Sequence, residues 1–141
     1  MPANPPDLNV LVIDDHMIIR QVVEQNLRSL GFTQIDTASN AAEAAERMQD
    51  KRYDIVFIDW ILPGKSGYAL MKEYREDRDH DDVAFVMVTS ESDERHMIEA
   101  LKAGATSYIT KPVLTPVFAE KVKKVLDWVA KRAEKAGARS A

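Results

Sequence analysis

Five polar residues follow short apolar segments of the sequence, and together they could bind a phosphoryl group. Asp14 and Asp15 follow the first segment, Asp59 the third, Thr89 the fourth and Lys111 the fifth. Three carboxylates at close range repel one another, and their pKa values would rise unless a cation shares the site. Oxygen ligands without sulfur or histidine favour Mg²⁺, which binds through a few carboxylates and a phosphate. The residues therefore predict a magnesium-dependent phosphate site.

Lys111 would add a second, fixed positive charge to this site. Phosphoryl transfer depends mainly on positioning the phosphate and neutralising its charge. One of the three carboxylates could then act as the nucleophile and form an aspartyl phosphate. A single acid at the end of a strand is often only a helix cap, but chance would have to place these residues at four separate segments.

The apolar segments that carry these residues indicate buried strands. They are rich in valine and isoleucine and lack period-two alternation, which is typical of strands that helices cover on both faces. Ligands of an open parallel sheet bind outside the carboxyl ends of its strands, so the polar residues would meet at one edge. The predicted strands are residues 10–13, 33–37, 55–58, 83–88 and 107–110.

Helical patterns lie between the strands, and most of them have a start or stop signal. Asn40, Ser66, Ser92 and Thr115 are the predicted N-caps, the last followed by proline at the first helical position. Gly31 and Gly104 are the predicted stops of the first and fourth helices. Five strands alternating with five helices predict an α/β fold, (βα)5, with a parallel sheet.

Length and composition exclude several other classes of protein. The chain has 141 residues, a net charge of −4 and no cysteine, so we expect one domain without disulfides or a cysteine nucleophile. Its acidic balance argues against nucleic acid as a partner. No apolar run approaches the ~18 residues of a membrane span and the first residues lack a signal-peptide pattern, so a cytoplasmic location away from the membrane is expected.

The motifs at the strand ends resemble those of response-regulator receiver domains of the CheY-like kind. They are VIDD at residues 12–15, IDWILPGKSG at 58–67, VTS at 88–90 and YITKP at 108–112. The resemblance extends from about residue 8 to residue 129. It implies a doubly wound, flavodoxin-like fold with strand order 2-1-3-4-5, and a phospho-accepting switch of a two-component or phosphorelay system.

The resemblance also implies a role for each residue of the site. Asp59 would be the phospho-acceptor and would attack the phosphoryl group of a phosphohistidine. Asp14, Asp15 and Asp59 would hold Mg²⁺ together with the backbone carbonyl of Ile61. Lys111 would pair with Asp59 and then with the phosphoryl oxygens.

The same resemblance implies a switch. Thr89 would be the switch hydroxyl, Ser90 would contact the phosphoryl group through its backbone, and the Lys111–Pro112 peptide bond would be cis. Movement of Thr89 toward the phosphoryl group would free space beneath the fourth helix, into which Tyr108 could turn. The face formed by the fourth helix, fifth strand and fifth helix would change as a result.

A few positions depart from the family pattern or need a separate interpretation. Ile61 stands two residues after the acceptor, where many relatives have a polar side chain, so we expect an unusual lifetime of the aspartyl phosphate. His16, His80 and His96 are expected at the surface, and only His16 could line the site. The basic residues from 121 onward are expected to form the solvated face and end of the last helix.

The resemblance implies partners and a division of the chain. A histidine kinase or histidine phosphotransferase would donate the phosphoryl group, and a downstream protein would bind the face of the fourth and fifth helices. The protein would be a monomer or a phosphorylation-dependent dimer, and a regulator rather than an enzyme. Residues 1–7 would form a flexible arm, 8–129 the receiver domain and 130–141 a helix extension and tail, so that output would pass through another protein or through self-association.

Three other functions stay open at this point. An aspartate-dependent phosphatase or phosphotransferase would need a second acid two residues after Asp59, where Ile61 stands. A flavodoxin-like cofactor carrier would suffer repulsion between its acidic rim and the FMN phosphate. A phosphorylation-independent interaction domain would not need the intact set of carboxylates, hydroxyl and lysine.

Overall fold

Five parallel strands form one sheet in the order β2-β1-β3-β4-β5 in this computed structural model, which describes residues 3–91 and 93–140. This order and the α/β class confirm the fold that the motifs imply. The strands are β1 (Asn9–Ile13), β2 (Gln34–Ala38), β3 (Ile55–Ile58), β4 (Ala84–Thr89) and β5 (Ser107–Thr110).

Helices cover both faces of the sheet, and this explains the continuous apolar runs. Along β3, Ile55 and Phe57 pack into a core with the first and fifth helices, whereas Val56 and Ile58 pack into a second core with the second, third and fourth helices. Every side chain of β3 is therefore buried, and alternation of apolar and polar residues disappears. The helices are α1 (Met17–Ser29), α2 (Ala41–Asp50), α3 (Gly67–Glu76), α4 (Glu94–Ala103) and α5 (Thr115–Ser140).

Two of the predicted helix caps have the expected hydrogen bonds. The side chain of Asn40 accepts from the backbone N–H of Glu43 at 2.8 Å, and the hydroxyl of Ser66 accepts from the backbone N–H of Ala69 at 3.1 Å. These bonds satisfy N–H groups that lack a partner in the first helical turn.

The starts of the other two helices differ from the prediction. Asp93 caps α4, since its carboxylate accepts from the backbone N–H of Arg95 at 2.8 Å; Ser92 lies outside the described residues. Thr115 is already helical, with Phe118 N–H donating to the carbonyl of Leu114 at 2.8 Å. Pro116 is therefore the second residue of α5 rather than the first. Proline is accepted there because the N–H groups of the first helical turn have no partner within the helix.

The N-terminal segment contacts the start of β2. Pro5–Asp7 form a 3₁₀ turn, and the carbonyl of Pro6 accepts from the side-chain amide of Gln34 at 2.8 Å. The division of the chain into arm, domain and extension stays a prediction. Within the described residues, no helix combines the length and the apolar content that crossing a membrane requires.

Candidate functional site

Lys111 links the carboxyl ends of two strands. Its ammonium nitrogen lies 2.8 Å from Asp14 Oδ2 and 2.8 Å from Asp59 Oδ2, and both carboxylates are almost completely buried. Burial by itself lowers the pKa of the ammonium, but hydrogen bonds and attraction to Asp14 and Asp59 outweigh burial and hold this pKa above its ordinary value. Lys111 therefore remains charged beside the two acids.

Two more residues extend this pair into a cluster. One ligand atom each of Asp14, Asp15, His16 and Asp59 lie within 4.8 Å of one another. The ring Nδ1 of His16 is 3.2 Å from Asp14 Oδ1 and 3.0 Å from Asp15 Oδ1. His16 is largely exposed, as expected, yet it also lines the site, and its position directly after the acidic pair was the signal for this.

The charges of the cluster suit a divalent cation. Asp14, Asp15 and Asp59, when ionised, face the single ammonium of Lys111, which leaves two negative charges uncompensated. Carboxylate oxygens are hard ligands, so Mg²⁺ fits this donor set better than a softer metal, which would prefer His16.

Asp59 is held through both of its carboxylate oxygens. Oδ2 accepts from Lys111, and Oδ1 accepts from the backbone N–H of Ile61 at 3.2 Å. Its own N–H donates to the carbonyl of Ile13 at 3.0 Å. The carboxylate is therefore oriented at the end of β3, while the part of the Ile61 carbonyl in metal binding stays a prediction.

Thr89 and Tyr108 lie beside this cluster, and Glu91 connects them. The Thr89 hydroxyl is buried and accepts from the backbone N–H of Glu91 at 3.4 Å. The Tyr108 hydroxyl donates to the backbone carbonyl of Glu91. Burial, then the negative charges of Glu91 and Asp59, raise the pKa of Tyr108 to about 12, which keeps this donor protonated.

The remaining predicted residues lie at the same edge of the sheet. Ser90 directly follows β4 and is exposed, and the Lys111–Pro112 peptide bond is cis. Tyr108 already occupies an inward position and is only 5% exposed. Its role as a switch residue stays a prediction.

Comparison with known proteins identifies the family. A family model described as "Response regulator receiver domain" matches residues 10–123. The chain belongs to this family. The chemotaxis protein CheY of Pseudomonas aeruginosa is 31% identical to this receiver domain over 122 residues, which are 86% of this chain and 98% of that protein. Membership of the family indicates a part in two-component signalling.

Solved structures agree with this assignment. A putative response regulator from Chloroflexus aurantiacus has a TM-score of 0.79 and 28% identity, covering 85% of this chain and 98% of that one. CheY from a CheX–CheY–BeF₃–Mg²⁺ complex of Borrelia burgdorferi has a TM-score of 0.77 and 27% identity, covering 84% and 88%. The CheY-like character of this receiver domain is confirmed, while the roles of its individual residues stay predictions.

An aromatic cluster beside Asp59 was missed by sequence reasoning. The Trp60 ring stacks on Tyr68 of α3 with centroids 4.5 Å apart, and meets His96 of α4 edge-on at 5.1 Å. His96 in turn lies 3.6 Å from the Glu91 carboxylate. No spacing in the sequence indicates these contacts, since the three rings come from a loop and two separate helices. Trp60, the residue after Asp59, therefore contacts both α3 and α4.

Proposed function

We propose that this receiver domain is a phospho-accepting switch in which Asp59 takes a phosphoryl group from a phosphohistidine. The observation that carries the proposal is the Lys111 ammonium, 2.8 Å from the carboxylates of both Asp59 and Asp14. A largely buried lysine in this position orients the acceptor and can neutralise the incoming phosphoryl oxygens. The donor would be a histidine kinase or a histidine phosphotransferase.

The transfer would use the carboxylate of Asp59 as the nucleophile. An O–P bond forms to Asp59, the N–P bond of the phosphohistidine breaks, and the leaving imidazole keeps the electron pair and takes up a proton. Lys111 would move from Asp59 Oδ2 to a phosphoryl oxygen as charge develops there. Ile61 N–H would keep its contact with the other carboxylate oxygen of Asp59.

Asp14, Asp15 and Asp59, with the backbone carbonyl of Ile61, would hold Mg²⁺. When bound, Mg²⁺ supplies charge neutralisation between the carboxylates and the phosphoryl oxygens. Support comes from the cluster of carboxylates and from the Borrelia burgdorferi complex, which contains CheY with BeF₃ and Mg²⁺.

The response would begin at Thr89. A phosphoryl group adds about −1.5 to −2 charges and three acceptor oxygens, to which the Thr89 hydroxyl can donate. Because Thr89 also accepts from Glu91 N–H, its movement would disturb the residue whose carbonyl holds Tyr108. We expect phosphorylation to stabilise the inward position of Tyr108 rather than to create it.

The output would be binding of a downstream protein to the face formed by α4, β5 and α5. Ile98 and Leu101 of α4 and Val117 of α5 are large apolar side chains with more than a third of their surface exposed. Exposed apolar side chains of this kind favour a protein partner. We infer a cytoplasmic regulator, monomeric or dimerising on phosphorylation. An enzyme acting on a separate substrate is disfavoured because Ile61 supplies no second acid.

The direct test is incubation with acetyl phosphate and Mg²⁺, followed by intact-mass measurement. We expect the mass of one phosphoryl group to be gained by the wild type and by Asp127→Asn, an exposed control on α5, but not by Asp59→Asn. EDTA should abolish the gain. A gain that survives Asp59→Asn would overturn the assignment of the acceptor.

A further inference from the structure

A second charged pocket lies at the edge of the sheet opposite to Asp59. Its volume is about 330 Å³, and α3, the turn between α4 and β5, and α5 contribute its walls. Thr106 lines it directly before β5, so the pocket is at the amino ends of the strands, whereas Asp59 follows the carboxyl end of β3. The two sites are therefore separate.

Arg75 contributes a largely buried guanidinium group to this pocket. It donates from Nε to the carbonyl of Gly104 at 2.8 Å, from Nη1 to the carbonyl of His80 at 2.9 Å and from Nη2 to the hydroxyl of Thr106 at 3.3 Å. Every one of these acceptors is neutral. Burial, with a smaller repulsion by Arg132, lowers the pKa of Arg75 to about 10 in spite of the attraction of Asp81.

Arg132 brings a second guanidinium group to the same pocket. Its Cζ lies 5.0 Å from the ring centre of Trp128, and the Cζ of Arg75 lies 5.8 Å from that centre. Neither arginine forms an ion pair within the part of the chain that the structure describes. Asp81 supplies the carboxylate among the lining residues, so the pocket retains a net positive charge.

A largely buried cation without an ion pair is costly, and two arginines near one ring repel each other. A bound anion would relieve both costs. Guanidinium groups present paired N–H donors that match the oxygens of carboxylates and phosphates. Arginine has five N–H donors, and Arg75 uses Nε and one hydrogen of each terminal nitrogen for the contacts above, which leaves donors for a ligand.

We propose that this pocket binds a small molecule through a carboxylate or phosphate group held by Arg75 and Arg132. Its volume is at the lower end of the ~300–1,000 Å³ that ligand sites occupy, which suits a small molecule rather than a folded partner. Trp128 and Arg132 lie beyond residue 123, where the match to the family model ends. The pocket therefore depends on the part of α5 that extends past the family match.

The test uses the emission of Trp128 as the signal, in a Trp60→Phe background that leaves it as the single tryptophan. Inorganic phosphate and citrate are titrated separately at constant ionic strength, with EDTA present so that no metal occupies the acidic site. We expect a saturable change in emission. A tighter response to phosphate than to citrate would assign a phosphate ligand, and the reverse order a carboxylate ligand.

Variants then locate the binding site. In the same background, Arg132→Gln should weaken the affinity by about tenfold, Arg132→Lys by less, and Lys124→Gln, an exposed control on the same helix, should leave it unchanged. A change that does not saturate, or equal affinities for Arg132→Gln and Lys124→Gln, would overturn the proposal. Arg132→Gln should still be phosphorylated at Asp59. A failure of the anion-binding proposal is therefore distinguishable from a failure of the proposed phospho-accepting function.

Discussion

Thr89 and Tyr108 bond to the two backbone groups of one residue. The N–H of Glu91 donates to the Thr89 hydroxyl at 3.4 Å, and the carbonyl of Glu91 accepts from the Tyr108 hydroxyl. Because both bonds meet at Glu91, movement of Thr89 toward Asp59 would disturb the N–H of the same residue whose carbonyl anchors Tyr108. A single residue thus couples the two side chains that the family resemblance names as the switch.

Tyr108→Phe should separate phosphorylation from this response. The variant keeps the ring in the core but loses the bond to Glu91, at a cost of about 1 kcal/mol in the free energy of unfolding. We expect it to accept a phosphoryl group from acetyl phosphate as the wild type does. Hydrogen exchange of α4 amides, measured with and without beryllofluoride and Mg²⁺, should change less than in the wild type.

Tyr74→Phe is the control for Tyr108→Phe, since Tyr74 lies on α3 and its ring contacts His80 and Phe85 rather than Glu91. It should leave the exchange response of α4 intact. An undiminished response in Tyr108→Phe would show that the bond to Glu91 carries no coupling.

Lys111→Gln should bind Mg²⁺ more tightly than the wild type and yet be phosphorylated more slowly. Removal of the ammonium leaves Asp14 and Asp59 without the cation that competes for their Oδ2 atoms, so attraction for a divalent cation rises. The loss of one preorganised charge at the phosphoryl oxygens should slow phosphorylation by about 10²-fold or more. A Mg²⁺ titration followed by Trp60 emission and the rate of mass gain with acetyl phosphate measure the two effects.

Lys65→Gln is the control for Lys111→Gln. It also removes one lysine charge, but Lys65 is exposed and pairs with Glu73 rather than with the acidic cluster. Lys65→Gln should leave both the affinity for Mg²⁺ and the rate of phosphorylation nearly unchanged. Weaker binding of Mg²⁺ by Lys111→Gln would contradict the idea that Lys111 competes with the metal.

The sheet and the acidic site could be predicted from the sequence because both depend on short-range rules. A parallel strand with both faces buried must be continuously apolar, as 55–58 is. The residues that follow such strands must lie at one edge of the sheet. Asp14, Asp15, Asp59 and Lys111 are therefore placed at one edge without any knowledge of side-chain packing, while the strand order that brings them close together was implied by the resemblance to receiver domains.

Contacts that depend on packing could not be predicted. Trp60 meets Tyr68 and His96 only because α3 and α4 lie side by side on the sheet. Arg132 was interpreted as part of a solvated basic face, but it lies over the Trp128 ring. The start of α4 was ambiguous locally, since serine and aspartate are both good N-caps and adjoin each other at its start.

Gly67→Ala should disturb both the fold and the acceptor. A Cβ at Gly67 would lie 1.8 Å from the carbonyl oxygen of Asp59 and 2.8 Å from Cγ1 of Ile58. Relief of this overlap must move either the start of α3 or the backbone of Asp59, which are in direct contact, so we expect a loss of about 3 kcal/mol in stability and slower phosphorylation. Urea unfolding and the rate of mass gain with acetyl phosphate check the two expectations.

Gly64→Ala, in the loop just before α3, is the matched control. Nothing lies within 4 Å of a Cβ there, and the variant has only the strain of a φ of +78°, worth about 1 kcal/mol. If Gly67→Ala cost no more than Gly64→Ala, the close approach of Gly67 to Asp59 would not limit the site.

Tyr53→Phe should destabilise the protein in a pH-dependent way. The Tyr53 hydroxyl donates to Asp36 Oδ2 at 2.6 Å, and Lys51 Nζ lies 3.1 Å from the same oxygen. The bond from Tyr53 is the main cause that lowers the pKa of Asp36 below its ordinary value of 3.8, with Lys51 adding to it and burial opposing it. Loss of a hydrogen bond to a charged group costs about 1.5 kcal/mol at neutral pH.

The sign of the pH dependence follows from the lowered pKa of Asp36. A depressed folded-state pKa contributes stability that is present above pH 3.8 and is lost as the pH falls through the folded value. The difference between wild type and Tyr53→Phe, measured by urea unfolding, should therefore be full at pH 7 and shrink below pH 3.8. Lys51→Gln, which removes an exposed ion pair, should cost less than about 1 kcal/mol at pH 7. A difference for Tyr53→Phe that stayed constant down to pH 3 would mean that the Tyr53 hydroxyl does not stabilise the protein through the charged Asp36 carboxylate, because a bond to the ionised form is lost as that form is protonated.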